Sequence, residues 1–367
     1  MSFYHPTADH IEKLSGPWCA SYSGGKDSTS LVTWIEWLRR TKQIVADKPQ
    51  LVQSDTTVEY PALQAISGEM MKLLRGCGWE CAVVEPMIHQ KLYNRILGIG
   101  NTPIHPGGRN MRWCTWSTKI DPMKKWRKLN SSGLTLTGVR QGESTIRDEK
   151  LRRGAEKKKN RGCSAGGECG LPDIADDTYG PILNWTTCNV WDWLYGTVVG
   201  DEAMRDIFAI TRKLHDIYDV KVDRDVFEWS DPVFTSARFG CIGCPAIESS
   251  RFAPASSIKK HGGESPLNEL YDVWFEARRR DNRCEKIKEG KDGRGPIRME
   301  VRKKLFDRVI DIQRRAGVVL VGPEDEAFIR DCWRRKVYPR GWSEADEATE
   351  SAKLPGIQLI VLNNEIF

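Results

Sequence analysis

Long apolar segments and a leader peptide are missing from this sequence. No run approaches the roughly 18 apolar residues of a membrane-spanning helix, and Met1–His10 lacks an apolar signal-peptide core. The sequence therefore predicts a cytoplasmic protein that has no membrane partner. Histidine is also scarce, and none of the 6 histidines pairs with another at the helical spacing of zinc proteases. A zinc-protease site is therefore excluded.

A strong excess of charge of one sign is absent as well. Lys and Arg total 56 and Asp and Glu total 50, for a formal net charge of +6. This balance permits an anionic partner but does not require one. The apolar fraction of 40% and the length of 367 residues indicate a folded chain with one sizeable α/β domain and an appended region.

The first half of the chain alternates strand-like and helix-like segments. Such alternation predicts a parallel sheet that is covered on both faces and binds ligands beyond the carboxyl ends of its strands. The predicted strands are Trp18–Tyr22, Gln50–Gln53, Glu80–Glu85 and Leu134–Val139. The predicted helices include one on the stripe of Leu31, Trp34, Ile35 and Leu38, and others over Pro61–Arg75, Thr118–Leu129 and around Glu202–Tyr218.

Periodicity divides the chain into two regions. Residues 1–240 are predicted to form the α/β domain, interrupted by a charged, Gly-rich insert at 142–180 that is too long for an ordinary loop. Residues 241–367 are predicted to be mainly helical and basic. Their apolar stripes are Leu267, Leu270, Tyr271 and Trp274, and then Val301, Leu305, Val309 and Ile312.

A Gly-rich segment, Ser21–Ser28, lies between the first strand and the first helix. Two glycines let backbone N–H groups approach an anion closely, and the helix presents its positive end to the same point. Lys26 adds a charge, Ser23 and Ser28 add hydroxyl donors, and Asp27 suits a Mg²⁺ that is bound to phosphates. The spacing differs from that of the Walker loop. A capped Gly turn without a ligand is the alternative.

The Ser-Gly-Gly-x-Asp-Ser run at Ser23–Ser28 resembles the signature of the PP-loop ATP pyrophosphatases. Four further segments are similar to those of the branch that contains the phosphoadenylyl-sulfate (PAPS) reductases. They are Asp55–Pro61, with Thr57 where glycine is usual; Arg112–Thr115 followed by Lys119–Pro122; Gly138–Arg140 followed by Glu143–Arg147; and Pro181–Trp191. The resemblance implies an adenine-nucleotide α-hydrolase-like fold and an enzyme that cleaves ATP between its α and β phosphates.

The resemblance also implies which residues form the site. The catalytic residues that it implies are Lys26, Asp27, Lys119 and Arg140. The residues that it implies for ATP and Mg²⁺ are Ser21, Ser23, Gly24, Gly25, Lys26, Asp27, Ser28, Asp55, Gly138, Arg140 and Arg147.

Cysteine is abundant, with 11 residues. Cys241 and Cys244 form a Cys-x2-Cys turn that can chelate a metal or a cluster, and this spacing does not separate zinc from a 4Fe-4S cluster. The resemblance favours the cluster and adds Cys114 as the third ligand, with Cys163 or Cys169 as the fourth. A reduced cysteine pair without a metal is the alternative. The remaining cysteines are predicted to be buried in the packing: Cys19, Cys77, Cys81, Cys188 and Cys332.

Arg112–Thr115 together with the Cys-x2-Cys turn is most similar to the DNA phosphorothioation sulfurtransferases of the DndC and SspD type. That similarity implies adenylation of a DNA backbone phosphate, with a cysteine desulfurase as sulfur donor. One alternative is a PAPS or adenylyl-sulfate reductase, although Glu168–Leu171 lies mid-chain without the reductase histidine and Gly341–Phe367 holds no cysteine. Another alternative is a non-catalytic module that binds a nucleotide or senses a cluster.

Overall fold

A six-stranded sheet lies at the centre of the first part of the chain. The computed structural model describes residues 4–46, 49–104, 113–130, 133–141, 173–175, 177–197, 202–218, 241–242, 266–288 and 291–347. The sheet order is β3-β2-β1-β4-β6-β5, and all neighbours are parallel except β5 and β6, which are antiparallel. The strands are β1 Trp18–Tyr22, β2 Gln50–Ser54, β3 Glu80–Val84, β4 Leu134–Leu136, β5 Asp173–Ala175 and β6 Thr178–Tyr179.

Helices follow the strands, as the alternating pattern predicts. They are α1 Ala8–Ser15, α2 Lys26–Arg40, α3 Pro61–Gly76, α4 Asp121–Asn130, α5 Thr187–Tyr195, α6 Arg205–Tyr218, α7 Leu270–Arg278, α8 Met299–Ala316 and α9 Pro323–Arg334. Two π-helical segments, Asn94–Ile99 and Trp116–Ile120, are added to these. The predicted helix over Thr118–Leu129 is therefore real, but its first turn is wider than an α-helical one. The predicted α/β fold with a parallel sheet is confirmed.

The strand order reverses between β1 and β4. Because β1 and β4 are adjacent and parallel, the loops that leave their carboxyl ends diverge and open a crevice at that edge. The loop after β1 begins with Ser23, and the segment after β4 contains Gly138 and Arg140. The strand predicted over Leu134–Val139 ends at Leu136, so these two residues lie at the edge of the sheet rather than within it.

Aromatic side chains dominate the core beside the sheet. Trp34 of α2 packs on Trp185 with ring centroids 6.1 Å apart, and Trp185 packs on Trp193 at 5.9 Å. Tyr4 closes this cluster edge-on to Trp185 at 5.0 Å. The whole of α2 from Ser28 to Leu38 is buried. Since α2 also forms the first turn after the Gly-rich loop, this packing fixes the position of that loop.

A second core includes residues from both sides of residue 240. Val58, Leu92, Tyr93, Ile96 and Leu97 pack in it with apolar residues of α7, α8 and α9. Trp333 Nε1 in α9 donates to the carbonyl of Leu97 over 2.8 Å. The C-terminal region is mainly helical, as predicted, but it also contains an antiparallel hairpin of β7 Arg283–Lys288 and β8 Lys291–Ile297.

Arg302 joins the segments around this second core. Its side chain is fully buried, and its guanidinium donates to the carbonyls of Ile297, Gly98 and Val337 over 2.7, 3.0 and 2.9 Å. In the part of the chain that the structure describes, none of the helices combines the length and the apolar character that crossing a bilayer requires.

Candidate functional site

The Gly-rich loop after β1 requires glycine at its first Gly position. Gly24 has a φ of +72°, in the left-handed region that L side chains rarely adopt, and a Cβ there would lie 2.9 Å from Ser67 Cβ. Gly25 is the N-cap of α2 in an extended conformation. Its absent side chain leaves the first turn of the helix open to close approach by an anion.

Hydroxyl groups hold the loop against the first turn of α2. The Ser23 N–H donates to Ser28 Oγ over 3.2 Å, and Ser28 Oγ donates to the Gly25 carbonyl over 3.1 Å. The Lys26 N–H donates to the hydroxyl of Tyr218, which reaches over from the end of α6 at 3.4 Å. The loop is thus formed locally by Ser23–Ser28 and closed by one residue from far along the chain.

Asp27 lies between two cations. Its Oδ2 accepts from Lys26 Nζ at 2.9 Å and its Oδ1 from Arg140 Nε at 2.6 Å. Burial opposes ionisation of the carboxyl, but the charges of Lys26 and Arg140 outweigh it and hold the pKa of Asp27 below its ordinary value. Both carboxylate oxygens are engaged, so a Mg²⁺ ion would be ligated only after one ion pair opens. In this arrangement the Asp27 donor set does not fit the predicted Mg²⁺.

Arg140 reaches Asp27 because the segment after β4 runs close to α2. A Cβ on Gly138 would lie 2.8 Å from the backbone carbonyl of Asp27 and from the amide of Ser28. Arg140 is 4% exposed, and its NH1 also donates to the Trp185 carbonyl at 3.1 Å. Gly138 therefore permits contact between two backbones, and Trp185 orients the guanidinium.

The turn after β2 is stabilised by Asp55. Its Oδ1 accepts from the Thr57 N–H over 2.7 Å, and its Oδ2 accepts from Gln64 Nε2 over 3.0 Å. Thr57 has a φ of +62°, in the left-handed region, where a β-branched residue is unusual. The glycine that the resemblance leads one to expect at this position therefore has a structural reason.

Two of the predicted metal ligands line one cavity. Cys114, just before the π-helical segment Trp116–Ile120, and Cys241 both line a cavity of about 40 Å³. The Ile242 N–H donates to the carbonyl of Val58 at 2.7 Å, which holds Cys241 at the turn after β2. Thiolates suit a zinc ion or an iron–sulfur cluster, so this donor pair fits the predicted group. Among the described residues, no group of three or more His, Cys, Asp or Glu side chains is clustered.

Lys119 lines the same cavity. Its Nζ lies 3.6 Å from Glu59 Oε1. Partial burial disfavours the ammonium charge, but Cys241 and Glu59 outweigh it and raise the pKa of Lys119. Burial likewise raises the pKa of Glu59, and the attraction of Lys119 offsets this only in part. The structure therefore places Lys119 beside the cysteines and in an ion pair with Glu59.

The predicted site residues form two neighbouring groups on one edge of the sheet. The first contains Gly138 and Arg140 with the loop residues Ser21, Ser23, Gly24, Gly25, Lys26, Asp27 and Ser28. The second contains Cys114, Cys241 and Lys119, and the turn that begins at Asp55 links the two. Four further predicted residues lie outside the described part of the chain: Arg147, Cys163, Cys169 and Cys244.

Sequence reasoning missed two residues of the site. Tyr218 ends a predicted helix with no motif beside it, and Glu59 lies in a recognised segment but at a position without a motif letter. One cysteine prediction is wrong: Cys188 is exposed, because the first turn of α5 leaves it on the solvent side. Cys19 and Cys332 are buried as predicted, and Cys77 and Cys81 are partly buried.

Two solved structures are similar to this chain. One is the PAPS reductase from Candida auris in a phosphate complex, with 12% identity over 53% of this chain and 89% of that chain and a TM-score of 0.32. The other is the U34-tRNA thiolase from Methanococcus maripaludis with its [4Fe-4S] cluster, with 12% identity over 74% of each chain and a TM-score of 0.31. No curated protein matches the chain.

A family model decides the classification. The model of the phosphoadenosine phosphosulfate reductase domain matches residues 17–207, from the start of β1 to the first turns of α6. The match covers just over half of the chain and includes the Gly-rich loop, Asp55, Cys114, Lys119 and Arg140. The chain therefore belongs to the phosphoadenosine phosphosulfate reductase domain family, on the PP-loop branch.

Proposed function

We propose that this protein is an ATP pyrophosphatase-type sulfurtransferase that adenylates a DNA backbone phosphate for sulfur incorporation. One observation carries the proposal. A glycine loop with two buried cations lies on the same sheet edge as a cavity lined by two cysteines and a lysine. Family membership supports nucleotide-dependent sulfur chemistry. The loop suits a polyphosphate, and the thiols suit sulfur transfer.

The nucleotide side of the reaction rests on the loop and Arg140. An acceptor oxygen attacks the α-phosphorus of ATP, the α–β bridging bond breaks, and its electron pair leaves on pyrophosphate. The N–H groups at the start of α2 and the cations Lys26 and Arg140 stabilise the charge that develops on this leaving group. Asp27 keeps both cations in position and ionised between them.

The acceptor side rests on the cysteine cavity. Lys119 orients the acceptor phosphate, and Glu59 positions the Lys119 ammonium. Adenylation makes the phosphate oxygen a good leaving group, so sulfur delivered at the sulfide level by a cysteine desulfurase displaces AMP, as covalent intermediates divide one difficult step into two. Cys114 and Cys241 would hold a 4Fe-4S cluster together with Cys244 and either Cys163 or Cys169. Such a cluster supplies sulfur or electrons when it is bound.

The test is pyrophosphate release. Anaerobically purified protein is incubated with Mg-ATP, with and without DNA, and pyrophosphate is measured. We expect release that depends on DNA and is lost in Asp27→Asn. The matched control is Asp206→Asn, since Asp206 also pairs with an arginine, Arg40, but is half exposed and lies away from the loop. Absence of pyrophosphate under every condition would refute the proposal.

A second candidate is the reduction of PAPS or adenylyl sulfate. The family match favours it, since the family is named for that reaction. The same protein is incubated with PAPS and reduced thioredoxin, and sulfite is measured. Sulfite formation without ATP would establish the reductase in place of the sulfurtransferase.

A further inference from the structure

Arg95 is an arginine without a carboxylate partner beside the cysteine cavity. It extends from the π-helical segment Asn94–Ile99, and its guanidinium carbon lies 4.9 Å from the centre of the Trp113 ring. Its Nε donates to the amide oxygen of Asn101 at 3.4 Å. Within the described ranges Arg95 forms no ion pair. Because Trp113 lines the cavity, the charge of Arg95 lies at the cavity wall.

Arg278 brings a second guanidinium to the same wall from α7. Its NH1 donates to the carbonyl of Ile104 over 3.0 Å, and Ile104 lines the cavity. Trp113 Nε1 donates to the carbonyl of Thr102 over 3.1 Å. Since Thr102 and Ile104 are two residues apart, these anchor points are separated by at most about 8 Å of chain. The two arginines therefore border one stretch of surface.

An exposed aromatic ring lies beside Arg278. Phe275, one helical turn earlier in α7, is 59% exposed, and the Arg278 guanidinium carbon lies 5.9 Å from its ring centre. Exposed aromatic faces next to guanidinium groups provide stacking surfaces for bases and contacts for phosphates. We call Arg95, Trp113, Phe275 and Arg278 the arginine–aromatic surface.

The charge state of this surface indicates an anionic ligand. Burial lowers the pKa of both guanidinium groups, which shows that each cation gives up part of its hydration. Partly dehydrating a cation costs free energy unless an anion compensates, although stacking on Trp113 offsets some of that cost for Arg95. A phosphodiester oxygen accepts hydrogen bonds from a guanidinium in a matching geometry.

We propose that the arginine–aromatic surface binds the phosphodiester backbone of a nucleic-acid strand and delivers one phosphate to the cysteine cavity. This inference rests on the proposed function, because it identifies how the acceptor approaches Lys119. The two sites then divide the work. The Gly-rich loop holds the nucleotide, and Arg95 and Arg278 hold the acceptor at the cavity wall.

The test measures binding without turnover. Anisotropy of a fluorescein-labelled DNA duplex, and of an RNA of the same sequence, is titrated with full-length protein in the absence of ATP over a series of salt concentrations. We expect Arg95→Gln and Arg278→Gln each to weaken binding several-fold and to lower the slope of log affinity against log salt by about one. Arg95→Lys retains the charge and should retain the slope.

Arg330→Gln is the matched control. Arg330 also stacks on aromatic rings, at 5.3 Å from the Phe306 centre, but its Nε is paired with Glu326. We expect its affinity and salt slope to match those of the unmodified protein. Unchanged binding in both Arg95→Gln and Arg278→Gln, in variants that retain the thermal midpoint, would overturn the proposal, as would an equal loss in Arg330→Gln.

The two proposals fail differently. If the surface binds DNA but no pyrophosphate is released, the acceptor surface stands and the adenylation chemistry falls. If pyrophosphate is released with DNA while both arginine variants bind DNA normally, the chemistry stands and the surface falls. Binding of RNA alone with the same loss in both variants supports the surface and replaces DNA as the acceptor.

Discussion

At the scale of single residues, Asp27 connects charge, folding and chemistry. It is the one carboxylate between Lys26 and Arg140, and both of those cations are 4% exposed. A buried guanidinium that loses its carboxylate retains the cost of dehydration without the compensating attraction. The free energy of unfolding therefore depends on whether Asp27 is ionised.

We expect Asp27→Asn to lower the free energy of unfolding near neutral pH by ~3 kcal/mol, near the lower end for breaking a buried ion pair. The pKa of Asp27 is lowered in the folded protein, so its contribution is complete above the ordinary aspartate value of 3.8 and is lost as the pH falls through the folded pKa. Denaturant titrations of both proteins over a range of pH should converge in acid. A difference that stays constant with pH would contradict this prediction.

Thr57 provides a test of backbone strain. Its φ of +62° is unfavourable for a β-branched residue and free of penalty for glycine. We expect Thr57→Gly to raise the free energy of unfolding by about 1 kcal/mol, because the relief of strain exceeds the greater entropy that glycine gives the unfolded chain. Thermal unfolding measures the effect. Thr57→Ala is the control and should gain less, since alanine keeps its Cβ in the left-handed region.

At the scale of elements, helix α1 begins with a cap that depends on protonation. The Thr7 N–H donates to His10 Nδ1 over 3.0 Å, and His10 Nε2 lies 3.1 Å from the carbonyl of Pro181. A carbonyl only accepts, so Nε2 carries the hydrogen and Nδ1 must be unprotonated to accept from Thr7. Burial lowers the pKa of His10 from 6.5, and this favours the neutral ring that the cap needs.

We expect this cap to make stability sensitive to mild acid. Because the folded pKa of His10 is lowered, the unfolded chain binds more protons below pH 6.5, and the free energy of unfolding should fall as the pH decreases through that value. His10→Gln should remove this part of the pH dependence in urea titrations between about pH 5 and pH 8. His5→Gln, at an exposed histidine, is the control and should leave it unchanged. A wild-type slope in His10→Gln would contradict the assignment.

Most elements around the sheet could be predicted because their periodicity is simple. Apolar runs such as Trp18–Tyr22 and the helical stripe of α2 follow from burial, which the sequence records directly. The β7–β8 hairpin could not be predicted in this way, because Arg283–Lys288 and Lys291–Ile297 are largely charged or Gly-containing. The π-helical segment Trp116–Ile120 was also hidden, since one extra residue in a turn leaves no compositional signal.

The site was predictable to the extent that its chemistry is local in sequence. Ser23–Ser28 forms the loop where it was expected, and Cys114 and Cys241 line one cavity although they are distant along the chain. The partners of these residues were not predictable. Glu59 and Tyr218 reach the site through tertiary packing, and a glutamate or tyrosine without a motif carries no spacing to read.

At the scale of the whole molecule, the second core ties the two halves of the chain together. Val58, Leu92 and Ile96 are buried by side chains that follow residue 240 in sequence. Cys241 itself is held by the Val58 carbonyl. The boundary expected at residue 240 remains a prediction, and an isolated first half would expose this apolar surface.

We expect a fragment of residues 1–240 to be less stable than the full chain and to self-associate, because its share of the second core would face water. Size-exclusion chromatography and urea titration measure both effects. The same fragment carrying Leu92→Gln and Ile96→Gln is the control, and it should self-associate less. A monomeric 1–240 fragment that unfolds with the midpoint of the full chain would show that the halves are energetically independent.

Gly138 has a consequence for how this protein tolerates mutation. It touches no proposed ligand, yet any side chain there would be forced into the backbone of Asp27 and Ser28 at 2.8 Å. In a library that samples every amino acid at every position, we expect position 138 to be as intolerant as the loop itself. A screen ranked by tolerance alone would therefore assign Gly138 to the active site, although its contribution is the space that it leaves empty.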